Sequence, residues 1–270
     1  MKNAKILFVC SEIAPYLPEN DVSVICRQLP QAVQEMGNEI RTFVPHYGCI
    51  NDRRHQLHEV IRLSGVNLII DDNDHPLLIK VASISAARMQ VYFIDNEDFF
   101  RRKYLFVDDA GIPFADNDER AIFYARGVLE TAKKLQWIPD IIHCHGWFSF
   151  MVPLFLKVAY KDDIIKNSKI VLSLYNDGFE GTFSDTLNRK LTIKNLKPKH
   201  IENLIEKPDY EHFIKFAIDY SDGIIFGANQ INQEIDDYAR EKEKPILEHQ
   251  DIDDPQNYAN FYEKILQKHD

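Results

Sequence analysis

Short apolar runs alternate with helix-periodic stretches along the whole chain, and this alternation constrains the fold more than any other feature. Lys5-Ile6-Leu7-Phe8-Val9-Cys10 is a continuous apolar run bounded by polar residues, the pattern of a parallel strand buried on both faces. A loop with Pro15 and Pro18 follows. Val22, Ile25, Leu29, Ala32, Val33 and Met36 then recur at helical spacing, with Gly37 as a stop and Pro30 predicting a kink or a break. Residues 39–44 read as the next strand, which completes a right-handed βαβ unit. Further strands are predicted at 68–70, 77–81 and 89–94, the last two as a hairpin or ribbon. Asp118 opens a long helix whose Ile122, Ala125, Val128, Leu129, Ala132 and Leu135 share one face, and Trp137-Ile138-Pro139 ends it. Residues 140–145 are a strand, 152–160 a helix, 169–174 a strand, 213–219 a helix and 223–226 a last strand. The predicted class is α/β, a doubly wound, mostly parallel sheet.

The remaining composition narrows the function classes. With 45% hydrophobic and 27% charged residues, 270 residues can bury a large core. A net charge of −10 argues against nucleic acid or an anionic membrane as partner. No apolar run reaches the roughly 18 residues a membrane span needs. Cys10, Cys26, Cys49 and Cys144 are scattered and form no CxxC pair. With no export signal evident, they read as reduced thiols and the chain as cytoplasmic. Residues 239–255 are rich in Glu, Lys, Asp and Gln and read as a solvated, polar connection. Tyr258, Phe261, Tyr262, Ile265 and Leu266 then form a short amphipathic helix. The expected organisation is a Rossmann-like domain over 1–238, the connection 239–255, and a helix over 256–270 docking back on the domain.

Ligands of such sheets bind at the carboxyl ends of the strands, so the loops after Cys10, His145 and Leu174 matter most. His143 and His145 share one face of their strand by its period of two. They read as satisfied structural histidines at a strand end, or as two ligands of a metal whose other ligands are not evident. Trp147 is either a stacking platform for a sugar or a lid on the core. Asp95, Asp98, Asp108, Asp109, Asp116 and Asp118 gather around one predicted loop, as a solvated acidic face or a cation site.

Those loops carry a resemblance. Ser11-Glu12-Ile13-Ala14-Pro15 resembles the S-E-x-x-P opening of glycogen and starch synthases. Asp118-Glu119-Arg120 resembles their N-x-E-R stretch, and Asp140-Ile141-Ile142-His143-Cys144-His145-Gly146-Trp147 their D-V-V-H-A-H-D-W. Tyr175-Asn176 with Phe179-Glu180-Gly181 resembles H-N-x-x-Y-Q-G, and Tyr220-Ser221-Asp222-Gly223-Ile224 a Y-A-D-x-I/V stretch. The resemblance implies the N-terminal Rossmann-like half of a two-domain GT-B glycosyltransferase. It implies retaining transfer of glucose from ADP-glucose to an α-1,4-glucan, with no catalytic metal and no cofactor. It also implies substrate contacts from Glu12, His143, His145, Trp147 and Asn176.

The departures fall on the chemistry. Where the family has a K-T-G-G turn, this chain has Pro18-Glu19-Asn20-Asp21. A cation, glycine amides and a helix N-terminus attract a diphosphate. Two carboxylates repel it, by about 4 kcal/mol per like-charge contact at ~4 Å in a surface-like dielectric. The same residues also suit an ordinary acidic helix N-terminus. The family's Asp is Gly146 here, and its His is Tyr175. Pro18, Gly146 and Tyr175 are thus degenerate counterparts, and no catalytic set is intact. The family's second domain is absent from the sequence, yet residues 258–266 resemble its terminal aromatic helix, which predicts an internal deletion bridged by 239–255. The expected function is a glycogen/starch-synthase-like protein of glycogen metabolism, not catalytic alone, that binds α-glucan or a partner enzyme of glycogen metabolism. The alternative is an active glucosyltransferase using ADP- or UDP-glucose, its second domain supplied in trans.

Overall fold

A computed structural model describes residues 3–267. Its apolar runs form ten strands among the described residues: β1 Lys5–Cys10, β2 Glu39–Pro45, β3 His58–Glu59, β4 Val66–Ile70, β5 Asn73–Ile84, β6 Met89–Asp95, β7 Ile141–His145, β8 Lys169–Leu174, β9 Gly223–Phe226 and β10 Ile246–Leu247. Their order across the sheet is β10-β9-β8-β7-β1-β2-β6-β5-β3, with β4 paired to β5. Every neighbour pair from β10 to β6 is parallel, whereas β5 runs antiparallel to β6, β3 and β4. The doubly wound, mostly parallel α/β class is therefore what the chain adopts, with an antiparallel annex on one edge. Ile6 to Cys10 of β1 and all of β7 are buried, which is why these strands lack an alternating polar face.

Several elements differ from the sequence expectation. Helix α1, Asp21–Glu35, runs on through Pro30, with Val22, Cys26, Leu29, Pro30 and Val33 buried. Burial of that face outweighs the hydrogen bond Pro30 cannot donate. Residues 152–160 are not one regular helix. Val152–Leu154 makes a single turn and Phe155–Ala159 a wider one, closed by Tyr160 N donating to Phe155 O at 2.9 Å. β9 is not the last strand, since Ile246 and Leu247 pair in parallel with Ile224 and Ile225. Two apolar residues between Lys244 and Glu248 are too short a run to show a period. The stretch 239–255 thus holds the end of the Gln233–Glu241 helix and a sheet-edge strand.

The strand order reverses at β1, whose chain continues to β2 on one side while β7 lies on the other. In open parallel sheets such a switch point opens a crevice at the carboxyl ends. Here it lies between the loops that leave Cys10 and His145. The C-terminal helix Pro255–Gln267 covers the neighbouring face, burying Tyr258, Phe261, Tyr262 and Ile265 against α1 and β9. Among the described residues no helix is long and apolar enough to cross a membrane.

Candidate functional site

The residues singled out at the carboxyl ends separate into a buried floor and an open rim. The floor is built on β7 and β8. His143 and His145 are both fully buried. His143 Nε2 lies 2.8 Å from Ser173 Oγ, and its Nδ1 lies 2.8 Å from Tyr262 Oη and 3.1 Å from His145 Nε2. His145 Nδ1 lies 2.8 Å from Tyr175 Oη. His143 Nδ1 has one proton or one lone pair to share between Tyr262 Oη and His145 Nε2 when both rings are neutral. Burial keeps them neutral: it pushes His145 down to about 3 and His143 well below the usual imidazole range, with each ring's proximity adding to the effect at His143. Tyr175 is buried as well, its hydroxyl directed at His145 rather than at solvent. Tyr262 ties the C-terminal helix to this network.

Trp147 is 2% exposed, enclosed by Phe106, Phe148, Phe179 and Phe183. Trp147 thus packs as part of the core. No ring face is left open for a sugar to stack on.

The rim begins at Ser11. Its backbone N–H and its hydroxyl both donate to His145 O, at 2.9 and 3.0 Å, so β1 and β7 stay joined to the crevice itself. Gly146 follows at φ 80°, ψ 148°, a conformation close to glycine-only. A Cβ there would lie 1.8 Å from Ser11 Oγ and 3.0 Å from Asp177 Oδ2. The position of the family's Asp is therefore closed to any side chain in this backbone.

Asp177 was not among the residues picked from sequence. Its Oδ2 accepts the Trp147 N–H at 2.8 Å, and Tyr210 Oη donates to its Oδ1 at 3.4 Å. Burial of the carboxylate pushes it up to about 6; the Trp147 N–H and Tyr210 hydroxyl pull it down, and the Glu12 charge pushes it up. The residue keeps part of its surface in solvent, but its carboxylate is enclosed against the 146–147 turn. The signal that could have found it is its position, directly after the Tyr175-Asn176 pair, with an acid where the loop faces a second loop lacking one.

Glu12 is half-buried and raised by that burial, an effect Asn20 Nδ2 opposes by donating to Oε2 at 2.7 Å. Asn20 also caps α1: its Oδ1 accepts from Ser23 N at 2.8 Å, and Ser23 Oγ accepts from Asn20 N at 2.9 Å. Pro18 and Asn176 are exposed, and Asn176 Nδ2 donates to Gln230 O at 2.6 Å.

The six aspartates of the proposed acidic face do not form one. Asp95 is fully buried against His46, Lys80 and Arg101, and Asp118 is buried against Lys190. Asp109 pairs with Lys103, Asp116 with Arg102, and Asp108 accepts from the backbone of Ala110 and Ile112. Arg101, Arg102 and Lys103 of the intervening loop pair with Asp95, Asp116 and Asp109, and Asp118 takes its cation from the distant Lys190. Among the described residues no group of three or more His, Cys, Asp or Glu is arranged to hold a metal.

Comparison with known proteins bears on the family and the fold. The starch synthase catalytic domain family matches residues 5–248. A glycogen synthase from Chlorobium luteolum is 38% identical over 192 residues, which is 70% of this chain and 39% of that protein. One from Chlorobaculum parvum is 35% identical over 223 residues, 82% of this chain and 45% of that protein. The chain thus spans less than half the length of these relatives. The catalytic domain of starch synthase IV from Arabidopsis thaliana, solved bound to ADP and acarbose, shares the fold. Its TM-score is 0.75 at 18% identity, over 92% of this chain and 51% of that one.

Proposed function

Since the chain belongs to the starch synthase catalytic domain family, we propose that it binds α-glucan and does not itself transfer glucose. The observation that carries this reading is the loop after β1. The α1 N-terminus, which would receive a diphosphate, is already capped by Asn20, and its flanks are Glu19 and Asp21 rather than a lysine. A nucleotide diphosphate approaching it meets like charge and no free cation on that loop. Gly146 adds to the reading, because its backbone leaves no room for the family's carboxylate. The α-glucan itself is supported by the glycogen synthases the chain resembles and by the acarbose bound to the Arabidopsis protein. A glucan-bound chain would sit among the enzymes that build and trim the polymer, so a partner enzyme on the same glucan belongs to this reading.

One observation favours the alternative of an active glucosyltransferase. The Asp177 carboxylate reaches within 3.0 Å of where a side chain at 146 would begin, so a carboxylate is still present beside the crevice. Co-sedimentation with glycogen and incorporation of radiolabelled ADP-glucose or UDP-glucose into it separate the two. Sedimentation without incorporation is expected. Incorporation above blank by the pure chain would overturn the non-catalytic half of this reading, and failure to sediment would overturn the binding half.

A further inference from the structure

Beside the rim, a groove of about 490 Å³ opens between the start of α1, the turn after β9 and the C-terminal segment. Residues 19–21, 24, 25 and 28, together with 227–229 and 249–252, line it, with Tyr258 of the terminal helix at one end. It adjoins the crevice on both sides: Asn20 is the partner of Glu12, and Asn176 is bonded to Gln230, one residue beyond the lining Asn229. The groove therefore exists only because the C-terminal segment folds back across the sheet.

Its chemistry is unlike that of a phosphate site. Glu19, Asp21 and Asp251 bring three carboxylates, and no Lys or Arg lines it. The side-chain amides of Gln28 and Asn229 are exposed and have no hydrogen-bond partner among the described residues. His249 Nδ1 is shielded and unpartnered. Ile25 and Ile252 give the wall an apolar strip. Paired donors and acceptors beside an apolar strip match a pyranose, whose hydroxyls ring an apolar C–H face. The volume falls in the range of small-ligand sites.

Resting on the glucan reading above, we propose that this groove is the saccharide subsite and accepts an uncharged, polyhydroxylated ligand, two or three glucosyl units of an α-glucan. Gln28 and Asn229 bond its hydroxyls, and the three carboxylates accept from others while excluding phosphate-bearing sugars.

The test is calorimetric titration of the full chain with maltoheptaose, ADP and spermidine. Maltoheptaose is expected to bind and ADP not to. A Gln28→Ala/Asn229→Ala variant, altered only at exposed side chains, should keep the wild-type melting temperature and bind maltoheptaose at least tenfold more weakly, the loss of about two neutral hydrogen bonds. Unchanged maltoheptaose affinity in that variant would overturn the subsite while leaving glucan binding standing. No maltoheptaose binding by the wild type would overturn both. ADP binding, or displacement of maltoheptaose by spermidine, would overturn the assignment of ligand class.

Discussion

The floor and the rim of the crevice lie one strand-end apart, yet they treat their polar groups in opposite ways. In the floor, each ring nitrogen of His143 and His145 has a partner within 3.1 Å, and the whole cluster is out of solvent. In the rim, Glu12 and Asp177 are carboxylates pushed upward by burial, with no Lys or Arg among their hydrogen-bond partners. A fully satisfied buried network rigidifies and specifies the fold. Carboxylates raised by burial and held only by neutral donors in a crevice are the kind of group found at functional sites. The family's histidine landmarks are thus buried and hydrogen-bonded within the floor of this chain.

The comparison breaks first if the floor is not structural. Tyr262→Ala removes a fully buried ring and the partner of His143 Nδ1. It is expected to lower stability by about 4 kcal/mol, the scale for truncating a buried aromatic. Tyr262→Phe, which removes the hydroxyl alone, should cost about 1 kcal/mol. Urea unfolding measures both. A Tyr262→Ala midpoint equal to wild type would mean that the terminal helix is not held by the network.

Restoring the family's carboxylate probes the junction of the two layers. Gly146→Asp forces a Cβ into a glycine-only conformation and onto Ser11 Oγ, 1.8 Å away. Strain of this kind costs about 1–3 kcal/mol, and displacing Ser11 adds loss of its bond to His145 O. The expected result is a destabilisation of about 3 kcal/mol by urea unfolding with no glucosyltransferase activity gained. A variant as stable as wild type would show that the crevice has room for the carboxylate after all.

Acid should expose the floor directly. Both histidines are held neutral in the folded chain but titrate near 6.5 when unfolded. The unfolded state then binds more protons, so this contribution is present above pH 6.5 and is lost as pH falls below it. Between pH 6.5 and 5 the loss should approach about 2 kcal/mol per ring. Asp52 and Asp95 are held below the usual carboxylate range, so their losses begin only below about pH 4. Urea midpoints that do not fall from pH 7.5 to 5 would argue against a neutral buried pair.

The sheet was legible because a buried parallel strand is written in a continuous apolar run, as in Ile6 to Cys10 and in β8. β10 was not, because two residues carry no period. The site was legible only in part. Spacing brings His143 and His145 to one face, but nothing local says that Tyr262, 119 residues later, closes over them. Trp147 reads equally as platform or lid until Phe106, Phe179 and Phe183, from distant stretches, are known to surround it. Asp177 went unread because its role depends on Gly146, a residue 31 positions earlier whose missing side chain makes space for it.

Asp177 gives the sharpest contrast with the floor. Its carboxyl is raised to about 6 in the folded chain against a usual value near 4, so here the folded state binds the extra proton. That contribution is present below pH 4 and is lost as pH rises through 6, opposite in sign to the histidines. Asp177→Asn keeps an oxygen for the Trp147 N–H and removes the charge. The melting temperature of the variant, relative to wild type, should therefore rise by a few degrees between pH 4 and 7. Its acid loss between pH 6.5 and 5 should also be the steeper of the two, because only the histidine slope remains. A variant that parallels wild type across this range would mean that Asp177 is ionised throughout, and the rim would then be as well compensated as the floor.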